Sequence, residues 1–149
     1  MAQHSSSIVI AAPPEVVFDT VADLEGMGRF SPENTGGEWL RGARGPSLSA
    51  KFKGTNAHGE ETWTTTATVV AYDRPHTFAF KVTVGPVKVS TWTFTLRAVP
   101  GGTEVTESWV DQRHGLVKRF ASTGVEDRDR FTTSSIETTL AKLKAHLEA

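Results

Sequence analysis

At 149 residues, 38% of them hydrophobic, the chain has the length of one globular domain able to bury roughly 68% of its unfolded surface, and a second domain is not expected. Its 16 basic and 17 acidic residues are scattered and leave a formal charge of −1, so no summed field draws it to nucleic acid or to an anionic membrane. The absence of cysteine excludes disulfides, thiolate nucleophiles and sulfur-ligated zinc.

The N-terminal MAQHSSSIVIAAPP has a short apolar run without a basic leader or a long apolar h-region, and no later stretch approaches bilayer-spanning length. A soluble, cytoplasmic protein without membrane insertion is expected. The first strand is predicted over Ser6 to Ala11. Pro13 and Pro14 then suit a helix start, where a missing N–H costs little, and Glu15 complements the positive end of the helix dipole. Val17, Phe18, Val21 and Leu24 recur at helical spacing until Gly26 and Gly28 break the run, which gives one or two short helices. From Gly37 to Val110 alternation takes over, with turn signals at 42–46 (GARGP), 57–59 (AHG), 73–76 (DRPH), 85–87 (GPV) and 99–102 (VPGG). These mark six strands in an antiparallel meander. From about Thr123 there is no proline and no glycine after Gly124, and Ile136, Leu140, Leu143 and Leu147 form the stripe of a long amphipathic helix. The order implies an α+β domain in which a curved antiparallel sheet wraps the last helix.

Period-two parity identifies the inner face of that sheet. In ETWTTTATVVAYD (61–73) the odd positions carry Trp63, Ala67, Val69 and Ala71, while four of the five threonines are even. A tight loop at Asp73 to His76 pairs Tyr72 with Thr77, Ala71 with Phe78, Val69 with Phe80 and Ala67 with Val82. The apolar sets then coincide, the even threonines and Tyr72 point outward, and Thr65 stays inside. Lys51 and Lys53 are likewise expected outside. A three-residue turn at 85–87 sets Phe80 opposite Trp92 and Phe78 opposite Phe94. A four-residue turn at 99–102 pairs Leu96 with Val105, Phe94 with Glu107 and Trp92 with Trp109. Glu107 is thereby delivered to an apolar interior, where an ionised carboxylate without a partner costs several kcal/mol. Its placement calls for a cavity or a partner.

Followed backward from Ile136, the helical stripe turns polar: Thr132 or Thr133, then Arg128 or Asp129, before Val125. The last three turns cap a dry core and the first turns present polar groups above the sheet. In one helix phase Arg128 or Arg130 is within reach of Glu107 or of a ligand acid; in another these residues face solvent. Asn56 and His58, in the loop GTNAHGE, are placed to border a cavity mouth. Leu116, Val117 and Phe120 in HGLVKRFASTG form an apolar lip, a packed linker or a dimer contact.

Taken together, IVIAAPPEVVFDTVADLEGMGRFSP, AKFKGTNAHGEETWTTTATVVAYDRPHTFAF, STWTFTLRAVPGGTEVTESWVDQR and TGVEDRDRFTTSSIETTLAKLKAHLE resemble the polyketide cyclase/dehydrase-like branch of the START/Bet v 1-like (SRPBCC) superfamily, in particular its actinobacterial members. The resemblance covers nearly the whole chain and rests on the order of elements. It implies a single domain over residues 1–149 with a helix-grip fold, in which a seven-stranded curved antiparallel sheet wraps the long C-terminal helix, two short helices follow the first strand, and a deep cavity is enclosed.

The fold by itself fixes no activity. One expectation is a binding protein holding a lipid or polyketide-like metabolite between the sheet and the C-terminal helix. Its walls would be Trp63, Thr65, Val69, Phe78, Phe80, Trp92, Phe94 and Trp109, with Asn56, His58, Arg128 and Thr132 as polar groups. The other is a polyketide aromatase/cyclase or dehydrase, which needs a proton donor or acceptor beside an enolisable carbon and donors for an oxyanion. The resemblance implies interior arginine, tyrosine or serine groups for that chemistry. With Tyr72 read as outward, Glu107 is left as the catalytic candidate. Neither reading calls for a cofactor or a metal. The expected partner is the small hydrophobic ligand, with the chain as a monomer or a homodimer.

Overall fold

Pro13 caps and Pro14 opens the first helix, and the carbonyl of Pro13 accepts the first turn's hydrogen bonds from the amides of Val16 and Val17. The computed structural model describes residues 3–113 and 128–149. In chain order the elements are β1 (Gln3–Ile10), α1 (Pro14–Ala22), a 3₁₀ helix (Leu24–Arg29), β2 (Asn34–Trp39), β3 (Lys51–His58), β4 (Glu61–Asp73), β5 (Thr77–Val84), β6 (Val87–Val99), β7 (Gly102–Asp111) and α2 (Arg128–Glu148). The strands form one seven-stranded antiparallel sheet in the order β1-β7-β6-β5-β4-β3-β2, so the meander runs unbroken and β1 returns to close on β7. This is the expected helix-grip arrangement. The lip candidates Leu116, Val117 and Phe120, and Val125 before the helix, lie outside the described residues. No described helix is long and apolar enough to cross a membrane.

α1 buries Val17, Phe18, Val21 and Ala22 against the sheet, and the Asp23 side chain accepts from the Gly26 amide where the chain tightens into the 3₁₀ helix. α2 contributes Ile136, Leu140 and Leu143, each at most 2% exposed, to the same core. Its end is tied to the N-terminal segment, because Lys144 Nζ donates to the Val9 carbonyl at 2.8 Å and Glu148 Oε2 accepts from the Ala11 amide at 2.8 Å.

The register across the sheet agrees with parity over most of its length. Val69 faces Phe80, Ala67 faces Val82, Phe80 faces Trp92, Phe94 faces Glu107 and Trp92 faces Trp109. Two bulges correct the detail. Between Val69 and Ala71 one extra residue enters β4, so Ala71 pairs with Ala79 and Tyr72 with Phe78. Val70 becomes the extra, exposed residue, and Tyr72 turns inward, edge-on to Phe18 and Phe78 at centroid distances of 5.3 and 6.3 Å. The expected outward tyrosine is therefore a half-buried residue packed against the core, because a one-residue insertion inverts the parity beyond it. At the β5–β6 hairpin the loop is Gly85–Pro86, shorter than the expected three residues, and Gly85 supplies the positive φ (56°) that its first central position needs. A bulge between Val82 and Thr83 restores the pairing beyond it.

The outer face is polar, as the threonine row requires. Thr62 and Thr64 are exposed, Lys53 points to solvent, and Lys51 Nζ donates to Thr68 Oγ1 at 3.0 Å.

Candidate functional site

Below α2 the inner face of the sheet does not close. It leaves a cavity of about 120 Å³ whose walls include Phe52 and Asn56 of β3, Trp63, Thr65 and Ala67 of β4, Phe80 and Val82 of β5, Ser90, Trp92 and Phe94 of β6, and Glu107 and Trp109 of β7. A void of roughly 10–15 Å³ suffices for one water, so this space is on the scale of a small organic molecule. Gly54 contributes no side chain to one wall, and a Cβ there would touch Asn34 Nδ2 and Thr65 Oγ1 at an ordinary contact distance of 3.4 Å. The roof is the first half of α2, where Arg128, Ser135 and Thr139 recur at helical spacing on the cavity side.

Nine of the residues singled out from sequence thus meet at one place: Asn56, Trp63, Thr65, Phe80, Trp92, Phe94, Glu107, Trp109 and Arg128. Four do not. Val69 and Phe78 are 1% and 0% exposed and sit one step further along their strands, where Phe18 of α1 packs edge-on against Phe78 and fills the space. His58 is exposed at the end of β3, edge-on to Phe131 of α2 at 4.6 Å, because the β3–β4 hairpin carries it beyond the cavity. Thr132 is buried, but the helix phase gives the lining positions to Ser135 and Thr139.

Glu107 is 4% exposed, and its Oε1 has no hydrogen-bond partner among the described residues. Burial alone pushes its carboxyl up to about 8, since removing a carboxylate from water penalises the charged form. At neutral pH the group is mostly protonated and offers an O–H donor. The ion pair with α2 that one helix phase allowed is not formed. Arg128 turns instead to Glu33, in the segment before β2, and its Nη1 donates to Glu33 Oε1 and Oε2 at 2.7 and 2.8 Å. Both side chains are close to buried, at 10% and 13% exposed.

A second ion pair closes the far end of β7. Arg113 donates through Nε and Nη2 to Asp111 Oδ1 and Oδ2 at 2.9 and 2.8 Å, and its own amide donates to Oδ1 at 3.0 Å. This two-pronged geometry is the strong form of an arginine–carboxylate contact. Asn56 Nδ2 donates to Thr65 Oγ1 at 3.2 Å, which holds the one inward threonine of β4.

Sequence reasoning missed Glu33, Arg113 and Ser90. For Arg113 the signal was present: the odd positions of β7, continued past Trp109, put Asp111 and then Arg113 on the inner side. Glu33 carried no such signal, since it sits in an aperiodic SPEN stretch and meets Arg128 only through the fold.

A family model described as polyketide cyclase/dehydrase and lipid transport matches residues 1–148. A search of curated proteins returned no match. Among solved structures, the Polyketide_cyc-like protein Cgl2372 from Corynebacterium glutamicum is similar at 29% identity and a TM-score of 0.64, over 98% of this chain and 91% of that one. Ginseng major latex-like protein 151 from Panax ginseng superimposes at a TM-score of 0.75 with 12% identity, over 99% of this chain and 98% of that one. The Aha1 dimer from Colwellia psychrerythraea does so at 0.68 with 14% identity, over 99% and 97%. At those identities the last two speak to the fold alone.

Proposed function

The chain belongs to the polyketide cyclase/dehydrase and lipid transport family, and on that premise we propose that it binds one small hydrophobic or amphipathic molecule, of the lipid or polyketide-like kind, in the cavity between the sheet and α2. The observation that carries this reading is the cavity itself: aromatic walls from four adjacent strands, with both of its arginines already held by carboxylates. In such a site apolar contact supplies affinity and a few polar groups fix orientation. Native mass spectrometry of the purified protein, followed by titration with the neutral dye Nile red, tests it. Saturable binding at one dye per chain, lost when Val82→Trp fills the space, is the expected result. Absence of both copurified mass and saturable dye binding contradicts the reading.

One observation favours a second reading, a cyclase or dehydrase. A buried carboxyl with a midpoint near 8 gains and loses a proton close to neutral pH, which suits an acid/base group beside an enolisable carbon. Turnover of a poly-β-ketone that vanishes in Glu107→Gln, while the fold persists, supports it. Ligand retention without turnover rejects it.

A further inference from the structure

The charged groups of the cavity divide into those held in ion pairs and one that is not. The two arginines on its walls each have a carboxylate partner, Glu33 for Arg128 and Asp111 for Arg113, and both pairs are shielded from water. Among the described residues, every cation lining the cavity is thus neutralised where it stands. Glu107 is the exception in kind. It lines the cavity, is buried, and has an oxygen without a hydrogen-bond partner among the described residues. A buried polar atom left unpaired costs roughly 1–3 kcal/mol, a cost that a ligand atom of the right kind removes. The surrounding Trp63, Phe80, Trp92 and Trp109 offer ring faces and edges.

We propose, resting on the binding reading above, that Glu107 presents its carboxyl O–H to a carbonyl oxygen of an uncharged, ring-bearing ligand, and that the cavity selects such molecules against carboxylates of the same shape. An anionic ligand has to shed its hydration without gaining a cation, which several kcal/mol of desolvation opposes. A neutral ketone loses little on entry and supplies the partner that the buried Glu107 oxygen lacks. The charged or titratable groups around Glu107 are Asp111 and Arg113 beyond β7, Arg128 of α2, Glu33 before β2 and, on β1, His4, which stacks on Trp109 at 5.4 Å. None of them contributes to the upward displacement of Glu107, which comes from burial. The donor is therefore present below about pH 8 and lost above it.

Four naphthalenes of nearly equal size test this by calorimetry on the full chain: 2-acetylnaphthalene, 2-ethylnaphthalene, 2-naphthoate and 2-(aminomethyl)naphthalene. At pH 6.5 the ketone binds about five- to tenfold tighter than the hydrocarbon, the ratio expected of one neutral hydrogen bond, and at least tenfold tighter than the carboxylate. At pH 9.5 the preference for the ketone falls toward unity. Glu107→Gln, which keeps an N–H donor, removes the pH dependence of that preference, whereas Glu107→Met removes the preference at both pH values. Equal binding of ketone and hydrocarbon at pH 6.5, or carboxylate or ammonium binding as tight as the ketone, overturns the assignment while leaving the cavity reading intact. Absence of binding by all four, the hydrocarbon included, overturns the cavity reading and this assignment with it.

Discussion

The inner face of the sheet serves two environments, and the division falls at nearly the same level on four neighbouring strands. On one side, Val69, Phe78, Leu96 and Val105 pack against α1 and the leucine positions of α2, and each is at most 6% exposed. On the other, Trp63, Phe80, Trp92 and Trp109 come from the same strands with the same alternation, yet they surround open space. The strands do not account for the difference; the roof does. Where α2 offers Ile136, Leu140 and Leu143, and α1 offers Val17 and Phe18, the space is filled. Where α2 offers Arg128, held by Glu33, and the small side chains of Ser135 and Thr139, a cavity remains. One helix with an apolar stripe beside a polar one thus turns a uniform sheet into half a core and half a binding site.

The contrast can be broken from the dry side first. Phe78→Ala removes a fully buried ring and is expected to cost about 3–5 kcal/mol in denaturant unfolding, with Nile red affinity changed by less than about twofold. A large loss of dye binding in this variant would erase the functional boundary between the two sides.

Glu107 produces an effect of similar size, visible through pH. Its folded-state midpoint is raised from an ordinary 4.5 to about 8, so between those values the folded protein holds a proton that the unfolded chain has released. Stability is full below about pH 4.5, declines as pH rises toward 8, and is level above it, with a total drop on the order of 3–5 kcal/mol. Chemical denaturation across that range measures it, and Glu107→Leu is expected to flatten the decline. A wild-type curve that rises over this interval would show that the group titrates in the opposite sense.

The roof offers a smaller test. Arg128→Met leaves the nearly buried Glu33 without its guanidinium and is expected to cost about 2 kcal/mol, most of it recovered when Glu33→Gln is added. On the convex side Thr64→Val is expected to stay within about 0.5 kcal/mol of wild type, because the threonine is exposed there. That small value marks the outer face as neither core nor site.

The element order, the meander and the inward placement of Glu107 were legible in sequence, because each rests on periodicity or on turn length, which are local. Tyr72 was misplaced because a bulge at Val70 leaves no mark in a run of threonines and valines, and everything after it changes sides. Arg128 lies on the cavity wall, and Glu33 rather than Glu107 is the carboxylate it contacts. That choice joins positions 95 residues apart, and nothing short-range encodes it. Val69 and Phe78 were assigned to the pocket because parity tells inside from outside and says nothing about where along a strand the roof changes. Locating the boundary required knowing that α1 lies over one side only.

Methyl NMR during a Nile red titration tests the central claim most directly. Shifts are predicted at Ala67, Val82, Val89, Leu24 and Met27, which line the open side, while Ile10, Val105, Leu140 and Leu143 in the filled side hold still. Shifts concentrated in the second group, or confined to exposed methyls such as Val70 and Leu48, would place the ligand elsewhere and contradict the account.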